Sequence, residues 1–384
     1  MKKALWMILA LTAVATLAQA SYTLNVVASS IPYTVSMKLD ASGNPAISFL
    51  EFRNGQTRLT FVRCGDPACA TATKVKILDS PGRVMKLSMA LNQAGIPVIG
   101  YQNKDGDLLV LTCGDLNCSS GNTITDADSQ GNTGFGVSLA LDASGNPVVS
   151  YSSNQNGGLR LLHCGNATCQ SGNTITMVDT NAAADDTALA LDAAGSPIIA
   201  YYQLVAGGTK NVNLVHCSDP VCGSFSNTTV DNTVEADQIG LSMVLDGAGN
   251  PVLSYDRALF HFFQLRVLHC SDSSCSAGDV PTSVDQLCNG GAGPSVAVDA
   301  LGHPVVSYES EGAGGCETLF INVAHCGDTT CSSGNVIAQA VSGQYFPPNG
   351  GSLVLDSVGN PVIAFDSLTP ADLVLLHCGT ATCQ

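Results

Sequence analysis

Seven times along this chain the sequence reads Leu/Val-Asp/Asn-x-x-Gly-x-Pro, with the Asp/Asn position at Asp40, Asn92, Asp142, Asp192, Asp246, Asp299 and Asp356. A C-x4-C pair follows each copy 21 to 27 residues later, and successive copies begin 50 to 57 residues apart. Four strands of about five to six residues, with their turns, fill such a period. Self-similarity of this kind fixes architecture before any other feature. The chain is therefore expected to be all-β, a seven-bladed β-propeller of four-stranded antiparallel blades. Residues that recur in every blade serve the blade, so function must lie where the repeat is broken.

The first twenty residues carry Lys2 and Lys3, an apolar run from Ala4 to Ala18, and Ala18-Gln19-Ala20 before Ser21. This is the layout of a secretory signal peptide. Residues 1–20 are expected to be removed, leaving 21–384 as a single propeller domain, secreted or periplasmic. The apolar run is shorter than the roughly 20 residues a membrane span needs. No later segment is continuously apolar at that length, so no membrane span is expected.

Cysteine usage agrees with an oxidising compartment. Fourteen of the sixteen Cys form seven repeat pairs, Cys64 with Cys69, Cys113 with Cys118, Cys164 with Cys169, Cys217 with Cys222, Cys270 with Cys275, Cys326 with Cys331 and Cys378 with Cys383. One disulfide per blade is expected. The remaining two, Cys288 and Cys316, both belong to the sixth repeat and would pair with each other. Metal is the rival reading, but a closed zinc site needs four ligands and no second thiolate pair is near in sequence. The His before the first Cys (His163, His216, His269, His325, His377) could complete a ligand set. Blades 1 and 2 carry Arg63 and Thr112 there, which a required ligand would not allow. No metal and no cofactor are expected.

Charge narrows the partners. The chain has 15 basic and 31 acidic residues, a formal net charge of −16, and Lys2 and Lys3 belong to the leader. Such a surface repels phosphate backbones, which argues against nucleic acid. It leaves cationic partners and Ca²⁺ open, although no motif asks for Ca²⁺. The bland account, that acidity keeps an exported protein soluble, is the stronger one.

Residues 137–179 give the clearest blade: VSLALD, ASGN, PVVSY, a variable stretch, LRLLHC, GNAT, C and NTITMVD. These are four short β-rich runs separated by turn residues, strands A to D from the axis outward. In the A-to-B turn the Asp can accept backbone N–H groups and the Gly supplies positive φ. The repeated Asp is thus turn chemistry. Strand A carries a recurring small residue (Ser36, Ser88, Ser138, Ala188, Ser242, Ser295, Ser352), expected to pack blade on blade. Strand B ends in an aromatic (Phe49, Tyr101, Tyr151, Tyr201, Tyr255, Tyr308, Phe365), expected in the core between blades. The last repeat stops at Gln384, short of a strand D, whereas residues 22–28 resemble a strand D with no A, B or C before them. The N-terminal strand is expected to close blade 7, leaving no open sheet edge in the ring.

Alternating strands put the A-to-B turns and C-to-D loops on one regular face. The B-to-C and D-to-A loops form a second face that varies in length and composition, where function is expected. Departures from the repeat gather there in blades 5 to 7. They are Asp256, Arg257, Phe260, His261 and Phe262, then Glu309, Glu311 and Glu317 beside Cys288 and Cys316, with Tyr345 and Phe346 entering blade 7. Acidic groups beside aromatics and one His make the best candidate pocket. The plain alternative is that long loops carry polar residues and pack their own aromatics. Lys38 is a further anomaly, a charge in strand A where other blades have Ala or Val.

Copies such as LDASGNPVVSY (141–151) and LRLLHCGNATC (159–169) resemble the secreted bacterial β-propellers grouped with neuraminidase-repeat and WD-repeat-like propellers, over essentially all of 21–384. The resemblance implies the fold, a superfold that hosts lectins, hydrolases, lyases and scaffolds. The S-x-D-x-G-x-T-W boxes of a sialidase-type enzyme are absent. An arginine cluster for a substrate carboxylate would have to come from Arg53, Arg83 and Arg257. The leading reading is a binding or scaffold propeller that engages a protein or glycan through its variable face. The alternatives are an extracellular polysaccharide hydrolase or lyase, with Glu309, Glu311, Asp256 and His261 as acid/base groups, and a structural or self-assembling exported protein. No catalytic signature supports the second. The only Trp, Trp6, lies in the leader, which weakens sugar stacking.

Overall fold

The computed structural model describes residues 22–29, 32–53, 55–73, 75–82, 86–153, 158–205, 209–234, 240–259, 262–285, 291–311, 319–343, 351–368 and 371–384. These form seven four-stranded antiparallel sheets and, among the described residues, no helix. Blade 3 is representative: strand A is Phe135–Leu141, B is Pro147–Ser152, C is Leu159–His163 and D is Thr174–Asp179. Six blades are consecutive in sequence. In the seventh, strands Ser352–Leu355, Pro361–Leu368 and Ala371–Cys378 are completed by Tyr22–Ala28, which pairs antiparallel from Tyr22↔Cys378 to Ala28↔Leu373. The expected closure by the N-terminal strand is present.

The repeated turn is built by its Asp. In blade 3, Asp142 Oδ1 accepts the N–H groups of Ser144 and Asn146, both at 2.8 Å. Gly145 sits at φ 80°, a conformation that an L side chain rarely adopts. The second carboxylate oxygen faces the end of strand C. There it meets His216 (Asp192, 3.1 Å), His269 (Asp246, 2.8 Å), His325 (Asp299, 3.2 Å) and His377 (Asp356, 2.9 Å). Blade 1 has Arg63 on Asp40 at 3.1 Å, and blade 2 is neutral at both places, with Asn92 and Thr112. These His brace turns.

Each C-x4-C pair is a disulfide. The second Cys of every pair has φ between 48° and 58°, in the left-handed region. That backbone is unusual for a residue with a Cβ. In the first blade the Cys69 N–H donates to Asp66 O at 3.0 Å, closing the same small loop that the disulfide closes. By loop entropy each link contributes about 2 kcal/mol. Cys288 and Cys316 lie outside the described residues.

The core is layered around the ring. Seven apolar clusters among the described residues each join two adjacent blades. At the junction of blades 2 and 3, Val98, Leu108 and Val110 meet Val137, Leu139, Tyr151 and Leu162. The small residues of strand A do more than pack. Ser36 Oγ accepts the N–H of Met89 in the next blade at 3.1 Å. The same bond recurs at 3.0–3.1 Å from Ser88 to Leu139, Ser138 to Leu189, Ser242 to Val296, Ser295 to Leu353, and across the seam from Ser352 to Met37. Ala188 has no hydroxyl to offer at the blade 4 to 5 junction.

Candidate functional site

Strand B sorts its residues between neighbours. The terminal aromatic faces the preceding blade, and the residue after it faces the following one. That next position is Leu50, Gln102, Ser152, Tyr202, Asp256, Glu309 and Asp366. Gln102 donates its side-chain amide to Thr133 O in blade 3, and Tyr202 Oη donates to Gly240 O in blade 5 at 2.9 Å. Blades 5, 6 and 7 place carboxyls here instead.

Asp256 is fully buried, and its Oδ1 accepts the Gly240 N–H at 3.0 Å. Glu309 and Asp366 are 6% and 7% exposed. Glu309 Oε1 and Asp366 Oδ2 take no hydrogen bond among the described residues. Burial, together with the charge of Asp366, pushes the Glu309 carboxyl up to about 8. Burial pushes Asp366 up to about 7. Desolvation penalises the ionised form of both, and no ion pair to either is formed among the described residues. Two carboxyls on adjacent blades can thus hold or release a proton near neutrality.

Of the residues singled out from sequence, Asp256 and Glu309 therefore share one register position and are buried. Arg257, the next residue after Asp256, is half-buried. Phe260, His261, Glu317, Tyr345 and Phe346 lie outside the described residues, as do the side chains of Phe262 and Glu311. Asp366 was missed. Its signal was available, since it follows Phe365 as Asp256 follows Tyr255 and Glu309 follows Tyr308.

A second feature opens between blades 2 and 3 at the variable-loop end. A cavity of about 460 Å³ is walled by residues 126–130 of blade 2 and by Arg160, Ile175 and Met177 of blade 3. At its base Arg160 Nη1 contacts Asp128 Oδ2 at 2.8 Å, and the same carboxylate accepts Tyr151 Oη at 2.7 Å. Arg160 and Asp128 are buried. Asp126 is exposed on the outer strand of blade 2, paired with Leu109 and so on the face towards blade 1, with its carboxyl pKa raised by partial burial and by the charges of Asp107 and Asp128. Ile175 and Met177 remain 43% and 40% exposed. Blade 5 echoes the base, with Arg266 3.6 Å from Asp231.

The axis holds a smaller cavity of about 130 Å³, lined by Thr34, Ser36, Ser242, Ser295, Lys86 and Asp186 among others. Lys86 and Asp186, from blades 2 and 4, form an ion pair across it. Lys38 lies two residues beyond Ser36 on the same side of strand A. It keeps contact with solvent, while the strands around it desolvate its ammonium and lower its pKa. Among the described residues, no group of three or more His, Cys, Asp or Glu is placed to hold a metal ion.

No family model and no curated protein matches the sequence. Solved structures do match the fold. The BP39L lectin from Burkholderia pseudomallei aligns over 91% of this chain and 97% of its own, with TM-score 0.61 and 12% identity. A polysaccharide lyase of family PL25, an ulvan lyase, aligns over 94% and 96% with TM-score 0.55 and 10% identity. A protein of unknown function from Dyadobacter fermentans aligns over 93% and 98% with TM-score 0.52 and 11% identity. At these identities the likeness is one of fold.

Proposed function

We propose that this protein is an exported binding propeller that engages a glycan through its variable-loop face, at the groove between blades 2 and 3. The groove itself carries the reading. It has the size of a ligand site and combines exposed apolar surface with a few convergent polar groups. The lectin and lyase neighbours lend support by analogy of fold. The signal-like leader and seven disulfides fit export to an oxidising compartment. A glycan array probed with the purified protein tests the reading. Retention should fall in a Gln130→Ala/Met177→Ala variant, both sites being exposed. Retention that survives this variant would place the site elsewhere.

A second reading has its own observation. Glu309 and Asp366 have the titration range of general acids and bases, which favours polysaccharide hydrolysis or elimination at blades 6 and 7. Release of new reducing or unsaturated ends from a polysaccharide panel, abolished by Glu309→Gln, would establish it. Absence of turnover across the panel would leave the binding reading alone.

A further inference from the structure

Residues of the inner strands line the axis in three layers, each two positions along the strand from the last. The first holds the Lys86 and Asp186 ion pair, whose charges cancel across the cavity of about 130 Å³. Next comes the ring of Ser36, Ser88, Ser138, Ser242, Ser295 and Ser352, all half-buried. Each Oγ accepts one N–H from the following blade, and among the described residues none of the six donates its own proton. Lys38 occupies the third layer, where the other six blades carry Ala or Val. It makes no hydrogen bond or ion pair among the described residues. The strands around it desolvate its ammonium, although the channel leaves it in contact with water. A charge enclosed in this way costs free energy until a partner answers it.

We infer that the axial channel binds a small monovalent anion of the halide type, held by the Ser hydroxyls and matched in charge by Lys38. Two positions along a strand span about 7 Å, close enough for one ion to feel both layers. Hydroxyl protons and an ammonium replace the water that such an ion gives up, and the ammonium supplies the stronger, charge-assisted contact. A cavity of this size suits an ion rather than a sugar. Sulfate, doubly charged, would exceed the single charge of Lys38 and meet the Asp186 carboxylate. The formal net charge of −16 does not oppose the ion strongly, because carboxylates in solvent are screened beyond about 10 Å at 0.1 M salt. This site is separate from the groove between blades 2 and 3 and stands whether or not that groove takes a glycan.

The test is thermal unfolding of the purified protein as sodium gluconate is replaced by sodium chloride or bromide at fixed ionic strength. Gluconate is too large for the cavity. An ion that binds only the folded state raises the melting temperature with concentration, and both halides should do so. Lys38→Val copies the residue of blades 5 and 7 and should weaken the apparent halide affinity about tenfold. Lys104→Met removes an exposed cation elsewhere and should leave the response unchanged. Circular dichroism checks that both variants fold. Crystals grown in bromide should show its anomalous signal on the axis at the Ser layer. Absence of any halide-dependent rise overturns the inference. So does an equal rise in Lys38→Val, which would mean a general salt effect. Stabilisation by acetate but not by halide also overturns it and makes the ligand a carboxylate. If Lys38→Val fails to fold, the bromide signal decides, its presence at the Ser layer supporting the site and its absence ending it.

Discussion

Tyr308 Oη donates a 2.7 Å hydrogen bond to Oδ2 of Asp285, the last residue of the outer strand in the preceding blade. Both residues are buried, and burial together with the Asp285 charge raises the phenol pKa, so that it stays a donor. The bond recurs from Tyr101 to Asp79, Tyr151 to Asp128, Tyr201 to Asp179 and Tyr255 to Asp231. The two remaining blades have Phe. Phe49 packs with Ala28 and Phe365 with Val341, and these partners occupy the register position that Asp fills elsewhere. Donor and acceptor are gained or lost together.

Tyr308→Phe is therefore expected to cost about 1–3 kcal/mol, because it removes a donor from a buried carboxylate. Tyr308→Phe with Asp285→Val should recover most of that loss by reproducing the Phe365 and Val341 junction. Urea denaturation of the two single variants and the double variant measures the coupling.

Ala188→Ser should stabilise the protein by about 0.5–1.5 kcal/mol. It would give the Met243 N–H the acceptor that every other junction provides. A raised urea midpoint at unchanged slope is the expected reading.

Glu309 has a folded pKa of about 8, above the unfolded carboxyl value, so the folded state holds the proton more tightly. Its contribution is full below about pH 4 and is lost as pH rises toward 8. Stability should decline by a few kcal/mol across that window, with Asp366 adding in the same direction. Glu309→Gln should flatten the decline. Below it the trend reverses, because Asp142, Asp192, Asp246 and Asp356 have lowered folded pKa values. Backbone N–H bonds, together with a His side-chain bond (an Asn146 bond at Asp142), there outweigh the upward push of burial. Those carboxylates add stability above about pH 4 that is lost in stronger acid. Chemical denaturation at stepped pH reads both limbs.

Removal of residues 22–28 should open blade 7 along Ala371–Cys378 and expose an unpaired strand edge. The expected outcome is a lower melting temperature together with concentration-dependent association. Addition of the excised peptide in trans should reverse part of it.

Much of the ring was legible because turn Asp, Gly and paired Cys act within one blade, and because the orphan strand at 22–28 matched the strand missing after Cys383. The Ser positions were legible too, but not their role. Five of the six hydroxyls meet an N–H that lies 51 to 58 residues on and Ser352 meets one across the seam, so small size was visible and hydrogen bonding was not. The matching of Tyr with Asp could have been found by setting each strand-B aromatic against the outer strand before it. The groove had no such signal. Its walls are ordinary residue types from two blades, and only the wedge between their outer strands makes them a site.

The pairing of each strand-B aromatic with its predecessor's outer strand also gives the ring a written order. A blade carrying Tyr308 expects a carboxylate upstream, whereas one carrying Phe365 expects a methyl surface. Transposing two such blades would set a phenol against Val341 and strand Asp285 before a phenyl ring. Copies that look interchangeable as repeats have become neighbour-specific around blades 6, 7 and 1, and any rearranged circle would have to keep those junctions matched.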